Sequence, residues 1–324
     1  MKLKNSLKFV LSFLVAISVR YSYAQNFENY PQELKGTTFF IEMTAVEGGS
    51  FIMGVANDNP YRSENEKPEH EVLVDDFWMG TYEISWEQYE AFIYADFEAE
   101  QFHKNEVLTN MGIDAVTGAT SPYEDMSGGM GKGTSPAVNM TQYAALMFCK
   151  WLSAKTGVFF RLPTEAEWEY VCKKGKTDDV DNLEDYGIYK ENSNKKYMKA
   201  GSKKPNTLGI YDMLGNVSEW VLDQYSTDYY AISPKENPWN VPSKLYPRVV
   251  RGGSWKDTAS KLCCTSRQHS KPNWKVRDPQ IPKSNWWHTD ASFIGFRIVR
   301  PKIQPGKQQI EAYWLNAIED YGLN

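Results

Sequence analysis

The stretch that decides the fold is GIYDMLGNVSEW, which occupies residues 209–220. Four other short motifs accompany it in a fixed order along the chain. They are VEGGSFIMG at residues 46–54, RLPTEAEWE at 161–169, RGGSW at 251–255 and IGFR at 294–297. Any one of these motifs alone is weak evidence for a fold, whereas all five in this order are highly specific evidence.

The composition describes a loop-rich body packed with aromatic side chains. Of 324 residues, 41% are hydrophobic and 24% are charged, which is too apolar for disorder and sufficient for a sizeable core. The 11 Trp, 20 Tyr, 22 Gly and 16 Pro favour loops over a helix bundle. A formal net charge of −5 excludes a basic footprint for nucleic acid, and no later run is apolar enough to span a membrane.

The first 25 residues have the pattern of a secretory signal peptide. Lys2, Lys4 and Lys8 form a positive start, and residues 9–19 are an apolar run too short to span a membrane. Residues 22–24 place small side chains where a signal peptidase reads them, and the absence of a nearby cysteine argues against a lipoprotein anchor. We therefore expect an exported, soluble protein of the periplasm or extracellular space, processed after residues 1–25.

The rest of the chain is predicted to form one domain with a short lead-in and a terminal helix. The expected boundaries are a linker at 26–37, the domain at 38–303 and the helix at 304–324. Helix-capping patterns begin at Ser85, Thr141 and Thr164. Two strands around a turn are expected within 39–53, and single strands at 72–78, 249–251 and 296–299. Long loops are expected at 112–136, 173–206 and 226–247.

The five motifs resemble the formylglycine-generating enzyme family, also called the sulfatase-modifying factor family, over roughly residues 38–301. The resemblance implies one α+β, loop-rich domain with a modified C-type-lectin-like fold. Family members include copper-dependent oxidases that convert a sulfatase cysteine to formylglycine, an ergothioneine sulfoxide synthase, gliding-motility lipoproteins and ligand-binding variants. Membership alone therefore does not fix the chemistry.

The copper site of the oxidase is not matched in this sequence. The resemblance places its two cysteines two and seven residues after Trp255, where this chain has Asp257 and Leu262. Neither side chain supplies the thiolate that Cu(I) prefers, so copper is not expected. A one-residue slip would bring a cysteine to the second position and leave the first unfilled. The remaining catalytic candidates are Ser254, which matches a serine beside the family's active site, and the neighbours Cys263 and Cys264.

Two other catalytic centres are not favoured by the sequence. The iron ligands of the sulfoxide synthase come from a separate helical domain, for which this chain has no room. The histidines show no ligand-like spacing, and no nucleophile elbow supports a serine hydrolase. The four histidines are His70, His103, His269 and His288.

A calcium site is implied by the resemblance at the GIYDMLGNVSEW motif. Asp212 and Glu219 would supply carboxylates, and Gly215 and Val217 would supply backbone carbonyls. This set suits a hard cation that takes oxygen ligands. The alternative is that the two carboxylates stabilise turns without a metal.

The segment at residues 277–290 is a candidate ligand groove. It combines aromatic, basic and acidic side chains that suit sugar rings and anionic groups. The alternative is that its tryptophans fill the core. The groove candidates are Arg277, Trp286, Trp287, His288 and Asp290.

The leading hypothesis is an exported, calcium-stabilised accessory or binding protein of this family that lacks the oxidase site. A sulfatase or a sulfated glycan is the expected partner, in the breakdown of sulfated polysaccharides. One alternative is an active oxidase that activates sulfatases through Cys263 or Cys264. Another is a structural or motility protein of the cell surface that docks a partner through its C-terminal helix.

Overall fold

The computed structural model describes residues 27–60, 62–96, 121–179 and 182–315. The predicted signal peptide, the first part of the predicted loop at 112–136, and the end of the predicted terminal helix lie outside these ranges. The fold class expected from the sequence, α+β with many loops, is confirmed. No helix within the described residues is long and apolar enough to cross a membrane.

Short strands form three sheets within the described residues. Their orders are β1-β2-β5-β10, β3-β4 and β8-β7-β6-β9. The strands are β1 (Tyr30–Glu33), β2 (Phe40–Val46), β3 (Gly49–Met53), β4 (His70–Val74), β5 (Phe77–Gly80), β6 (Ser218–Gln224), β7 (Arg248–Arg251), β8 (Gln268–His269), β9 (Ile294–Gly295) and β10 (Val299–Pro301).

Strands β2 to β5 form one bent antiparallel ladder. Met43 faces Gly80 and Met53 faces His70, so the register is the same before and after the bend. The bend lies at Gly48, where a Cβ would meet the Val74 carbonyl oxygen at 2.3 Å. Residues 39–53 therefore do not fold back on themselves as predicted, and the single strand predicted at 72–78 is two strands in different sheets.

The predicted linker at residues 26–37 is also corrected by the structure, because it contains β1, which pairs with β2. Phe27 and Tyr30 pack edge-on against Trp78, with ring centroids 4.8 and 5.8 Å apart. The Trp78 indole N–H donates to the carbonyl of Glu28 over 2.8 Å. Burial of aromatic surface thus draws this segment into the domain.

The second large sheet takes residues from three of the sequence motifs, namely 218–220 in β6, Arg251 in β7 and 294–295 in β9. β6 pairs antiparallel with β7 and parallel with β9. The strand predicted at 249–251 is confirmed within β7. The strand predicted at 296–299 is displaced to β9 and β10, because Arg297 between them turns inward to an ion pair with Glu219.

The helices begin where the capping patterns place them. The side chains of Ser85, Thr141 and Thr164 each accept a hydrogen bond from a backbone N–H of the first turn. Gly157 ends the second helix in the left-handed conformation, with φ of 76°. The helices are α1 (Trp86–Ile93), α2 (Gln142–Thr156), α3 (Glu165–Lys174), α4 (Leu183–Tyr186) and α5 (Lys307–Leu315).

A disulfide joins α3 to the loop before β8. Cys172 and Cys264 are bonded across a sequence separation of 92 residues. The sequence did not reveal this pairing, because the partners meet only when α3 packs on β7. Cys149 and Cys263 are free and buried.

The C-terminal helix packs on its own domain. Ile310 and Trp314 of α5 are buried against Phe159, which follows α2, and the Trp314 indole N–H donates to the Phe160 carbonyl over 3.3 Å. Tyr313 stacks on Trp239 with centroids 4.6 Å apart. The apolar face is thus used internally, which weakens the idea that it docks a partner.

We predict that Trp314→Ala lowers the free energy of unfolding by about 3–5 kcal/mol, because it removes a buried ring and leaves a cavity. Urea denaturation of the full chain measures the change. The control is Gln308→Ala on the exposed side of α5, for which a change within about 0.5 kcal/mol is expected. Equal, small effects of both substitutions would show that α5 does not belong to the folded domain.

Candidate functional site

A buried ion network ties two of the sequence motifs together. Arg251 of the RGGSW motif donates to Glu165 over 3.0 Å and to Glu169 over 2.6 Å, both on α3. Arg267 donates to Glu165 over 2.7 Å. Burial opposes ionisation of Glu169, but Lys173 and Arg251 hold the pKa of its carboxyl below the usual range. These charges are structural, because each is paired out of reach of solvent.

A second buried network surrounds the GIYDMLGNVSEW motif. Glu219 Oε2 accepts from Arg297 Nε over 2.6 Å and from the Trp168 indole N–H over 3.0 Å. Glu83 accepts from the Asn216 side chain over 2.6 Å and from the Val217 N–H over 3.0 Å. The IGFR and RLPTEAEWE motifs therefore meet the central motif at one carboxylate.

The predicted calcium ligands lie at this second network. Asp212 is buried, and burial together with the nearby Glu219 raises the pKa of its carboxyl to about 6 despite a hydrogen bond from Gly201. Its Oδ1 has no hydrogen-bond partner. Burial, Asp212 and Glu219 also raise the pKa of Glu83. Three buried carboxylates thus face a single guanidinium, that of Arg297, and the excess negative charge suits a cation.

The side-chain oxygens around Asp212 can hold calcium only together with backbone carbonyl oxygens. Glu219 Oε2 is occupied by two donors, whereas its Oε1 accepts from Arg297 Nη2 over 2.7 Å and retains acceptor capacity. No group of three His, Cys, Asp or Glu able to hold a metal occurs in the part of the chain that the structure describes. A site here therefore needs carbonyl oxygens such as those of Gly215 and Val217 beside the two carboxylates.

The two positions that the resemblance assigns to the oxidase cysteines hold side chains engaged in packing and hydrogen bonding. Ser254 Oγ donates to Asp257 Oδ2 over 2.5 Å. Leu262 is buried with Tyr189 and Leu214. Ser254 thus fixes the turn that carries Asp257, and Leu262 fills an apolar space.

The two candidate cysteines differ in state. Cys264 is in the disulfide with Cys172 and therefore has no thiolate to offer in this form. The Cys263 sulfur lies 2.7 Å from Arg62 Nη1, which donates a hydrogen bond to it. Burial raises the pKa of the Cys263 thiol in spite of this guanidinium. A buried thiol of high pKa is a weak nucleophile.

The candidate groove at 277–290 is largely filled by its own aromatic residues. Trp286, Trp287 and His288 are buried, at 9%, 1% and 2% exposure. Burial, with a contribution from Lys275, lowers the pKa of His288. Arg277 and Asp290 are at the surface and pair with each other. The segment thus serves the core and does not present stacking faces to a ligand.

An open groove lies instead beside Asp257, and the sequence did not reveal it. Its cavity volume is ≈ 650 Å³. The cationic side chains that line it are Lys256, Lys261, Arg267 and Lys271. The sequence shows three lysines soon after the RGGSW motif, but only the folded loops bring them to one wall of the groove.

The match to known families decides the identification. Residues 31–302 match the model of the sulfatase-modifying factor enzyme 1-like domain. The chain belongs to this family. The boundaries of this sulfatase-modifying factor domain include β1 and end after β10.

Several relatives of this domain carry different names. A protein of Chlamydia pneumoniae named serine/threonine-protein kinase pkn1 is 31% identical over 78% of this chain. The chain spans only 38% of that protein's length. The mouse formylglycine-generating enzyme is 26% identical over 79% of this chain and 74% of its own.

Solved structures similar to the domain agree on the fold. PvdO from Pseudomonas aeruginosa is 24% identical, with a TM-score of 0.61 over 84% of this chain and 99% of its own. Treponema denticola variable protein 1 is 23% identical, with a TM-score of 0.60 over 84% of this chain and 99% of its own. The predicted C-type-lectin-like architecture is consistent with these matches.

We predict that Arg297→Met lowers the free energy of unfolding by about 3–5 kcal/mol, because Glu219 is left as a buried charge without its guanidinium. Denaturant unfolding measures the loss. The matched control is Arg277→Met, whose partner Asp290 is at the surface and whose loss is expected to cost below about 1 kcal/mol.

A double variant separates charge from packing in this test. Glu219→Gln combined with Arg297→Met removes both charges, so it is expected to be more stable than Arg297→Met alone. If the double variant is less stable than the single one, the buried pair is not what the arginine provides.

Proposed function

We propose that this protein is a binding or accessory member of the sulfatase-modifying factor family that does not perform the copper-dependent oxidation. The observation that carries the proposal is the pair Asp257 and Leu262 at the two cysteine positions implied by the resemblance. One is hydrogen-bonded to Ser254 and the other packs in an apolar cluster. The two thiolates that would bind Cu(I) between them are therefore missing at these positions.

The remaining cysteines support the same conclusion. Cys264 is committed to a disulfide, and Cys263 is a single buried thiol beside Arg62. One thiolate is a poor site for Cu(I), whose soft character favours several sulfur ligands.

Calcium is proposed as the resident metal of the second buried network. Asp212 and Glu219 would supply carboxylate oxygens, and Gly215 and Val217 would supply carbonyl oxygens. The support is the unpartnered Asp212 Oδ1 and the excess of buried carboxylates over guanidinium groups. The ion would neutralise that charge and fix the loop before β6.

Export and partnership complete the proposal. The signal-peptide pattern at residues 1–25 supports a location outside the cytoplasm, and a disulfide suits an oxidising compartment. Because relatives are named formylglycine-generating enzyme, a sulfatase or its sulfated glycan is the partner class we propose.

We predict that the purified full chain neither binds Cu(I) stoichiometrically nor converts the cysteine of a sulfatase peptide to formylglycine, because the thiolate pair is missing. Competitive Cu(I) titration and mass spectrometry of the peptide measure the two activities. One tightly held Cu(I) per chain that is lost in Cys263→Ser would overturn the proposal and favour a divergent oxidase.

We predict that calcium stabilises the protein through Asp212. At 100 times the dissociation constant, one bound ion adds about 2.7 kcal/mol to the free energy of unfolding. The gain should vanish in Asp212→Asn and persist in the control Asp185→Asn, whose carboxylate is exposed in a surface pair with Lys204. An equal calcium response of both variants would remove Asp212 from the proposed ligand set.

A further inference from the structure

The open groove beside Asp257 is rich in cations that have no acidic partner of their own. Lys261 and Lys271 are exposed along it, Lys256 is exposed except for its partly buried ammonium group, and none of the three forms a salt bridge within the described residues. Arg267 differs from these lysines, because it forms an ion pair with Glu165. Asp257 is the one carboxylate among the lining residues, so the groove has a net positive charge in a chain whose net charge is negative.

The environment of Lys256 shows how closely these charges are placed. Burial lowers the pKa of its ammonium group to about 8, Asp257 opposes the shift, and Lys271 adds to it. The ammonium group also lies over the Phe293 ring. An anion entering between Lys256 and Lys271 would relieve their repulsion.

Neutral polar groups in the same groove are left unsatisfied. Asn65 Oδ1 and Gln268 Nε2 are buried and have no hydrogen-bond partner. The orientation of Asn65 is fixed, because its Nδ2 donates to the Tyr225 hydroxyl over 2.8 Å. One group is an acceptor and the other a donor, and a ligand hydroxyl can serve either one.

Aromatic rings complete the lining. Tyr225 and His269 lie together with ring centroids 4.4 Å apart, and Trp274 borders the same groove. Half-buried rings beside amides and hydroxyls suit the alternating C–H and O–H faces of a sugar. An extended peptide is less suited, because the edge strand β8 at the groove is only two residues long and offers little backbone for pairing.

We propose that this groove binds an anionic oligosaccharide, with Lys256, Lys261 and Lys271 holding its sulfate or carboxylate groups and Asn65 and Gln268 its hydroxyls. The proposal rests on the proposed function, since it names the ligand class of a domain that does not oxidise. It assigns the ligand to lysines outside the positions of the oxidase cysteines.

The experiment measures binding of size-fractionated dextran sulfate to the full chain by calorimetry at low salt. The groove variant is Lys256→Gln, Lys261→Gln and Lys271→Gln combined. The matched control removes three exposed lysines that do not line the groove, by Lys35→Gln, Lys176→Gln and Lys307→Gln. Affinity should fall about tenfold or more in the groove variant and about twofold or less in the control.

Other probes separate the ligand classes. Uncharged dextran of the same length should bind much more weakly than dextran sulfate, and polyglutamate should bind more weakly as well. Gln268→Met should weaken binding of dextran sulfate more than binding of polyglutamate. Equal losses in the groove and control variants would overturn the proposal, as would preference for polyglutamate, which would point to an acidic protein partner.

The pH dependence supplies a readout that a structural role of Lys256 would not produce. Its ammonium loses its proton as pH rises through about 8, so affinity for dextran sulfate should fall between pH 7 and 9. The fall should be shallower in Lys256→Gln, where Asp257, Lys271, Lys261 and His269 remain. The Cu(I) and formylglycine assays on the same preparation test the proposed function separately, since the groove lysines take no part in them.

Discussion

The fold depends on arginines that are buried among carboxylates. Arg251 is fully enclosed between Glu165 and Glu169, and Arg297 is enclosed with Glu219. Burying such charges costs several kcal/mol per ion, and only near-ideal pairing offsets that cost. Because the strands are short and the loops are long, these ion pairs fix how the segments that carry them pack against one another. Four of the five sequence motifs supply a charged member of these pairs, and the fifth, VEGGSFIMG, supplies the Gly54 N–H that donates to Glu169.

The local structure was more predictable than the pairing of segments. Ser85, Thr141 and Thr164 give their helix starts directly, because a cap needs only its own neighbours in sequence. The bend at Gly48 was predicted as a turn between two paired strands, because the glycines mark an interruption of the strand but do not reveal its angle. The disulfide of Cys172 was missed for a related reason, since nothing local marks its partner 92 residues away.

The candidate site shows the same division. The motif residues around Asp212 and Glu219 were found, because their spacing is contained in one stretch of chain. Trp286 and Trp287 were ambiguous from sequence, since an aromatic pair in a polar loop serves a core and a groove equally well, and burial decides between them. The lysine-lined groove could not be found, because its two walls come from separate loops.

The backbone around Leu262 leaves room for a leucine at the second position that the resemblance assigns to an oxidase cysteine. Its side chain lies against Gly187, Gly215 and Gly253, where a Cβ would come within 2.9 to 3.2 Å of it. The leucine thus occupies room that three glycines leave open. Replacement by a smaller sulfur-bearing side chain would create a void as well as a thiol.

The segment from residue 255 to 271 is held at both ends and in the middle. The Ser254–Asp257 hydrogen bond fixes its start, the disulfide of Cys264 fixes its centre, and pairing of β8 with β7 fixes its end. Lys256 and Lys261 lie between these anchors, and Lys271 follows the last of them. A single substitution of one of these lysines can change the charge of the groove while the three anchors stay intact. Ligand preference can therefore diverge among homologues faster than the fold does.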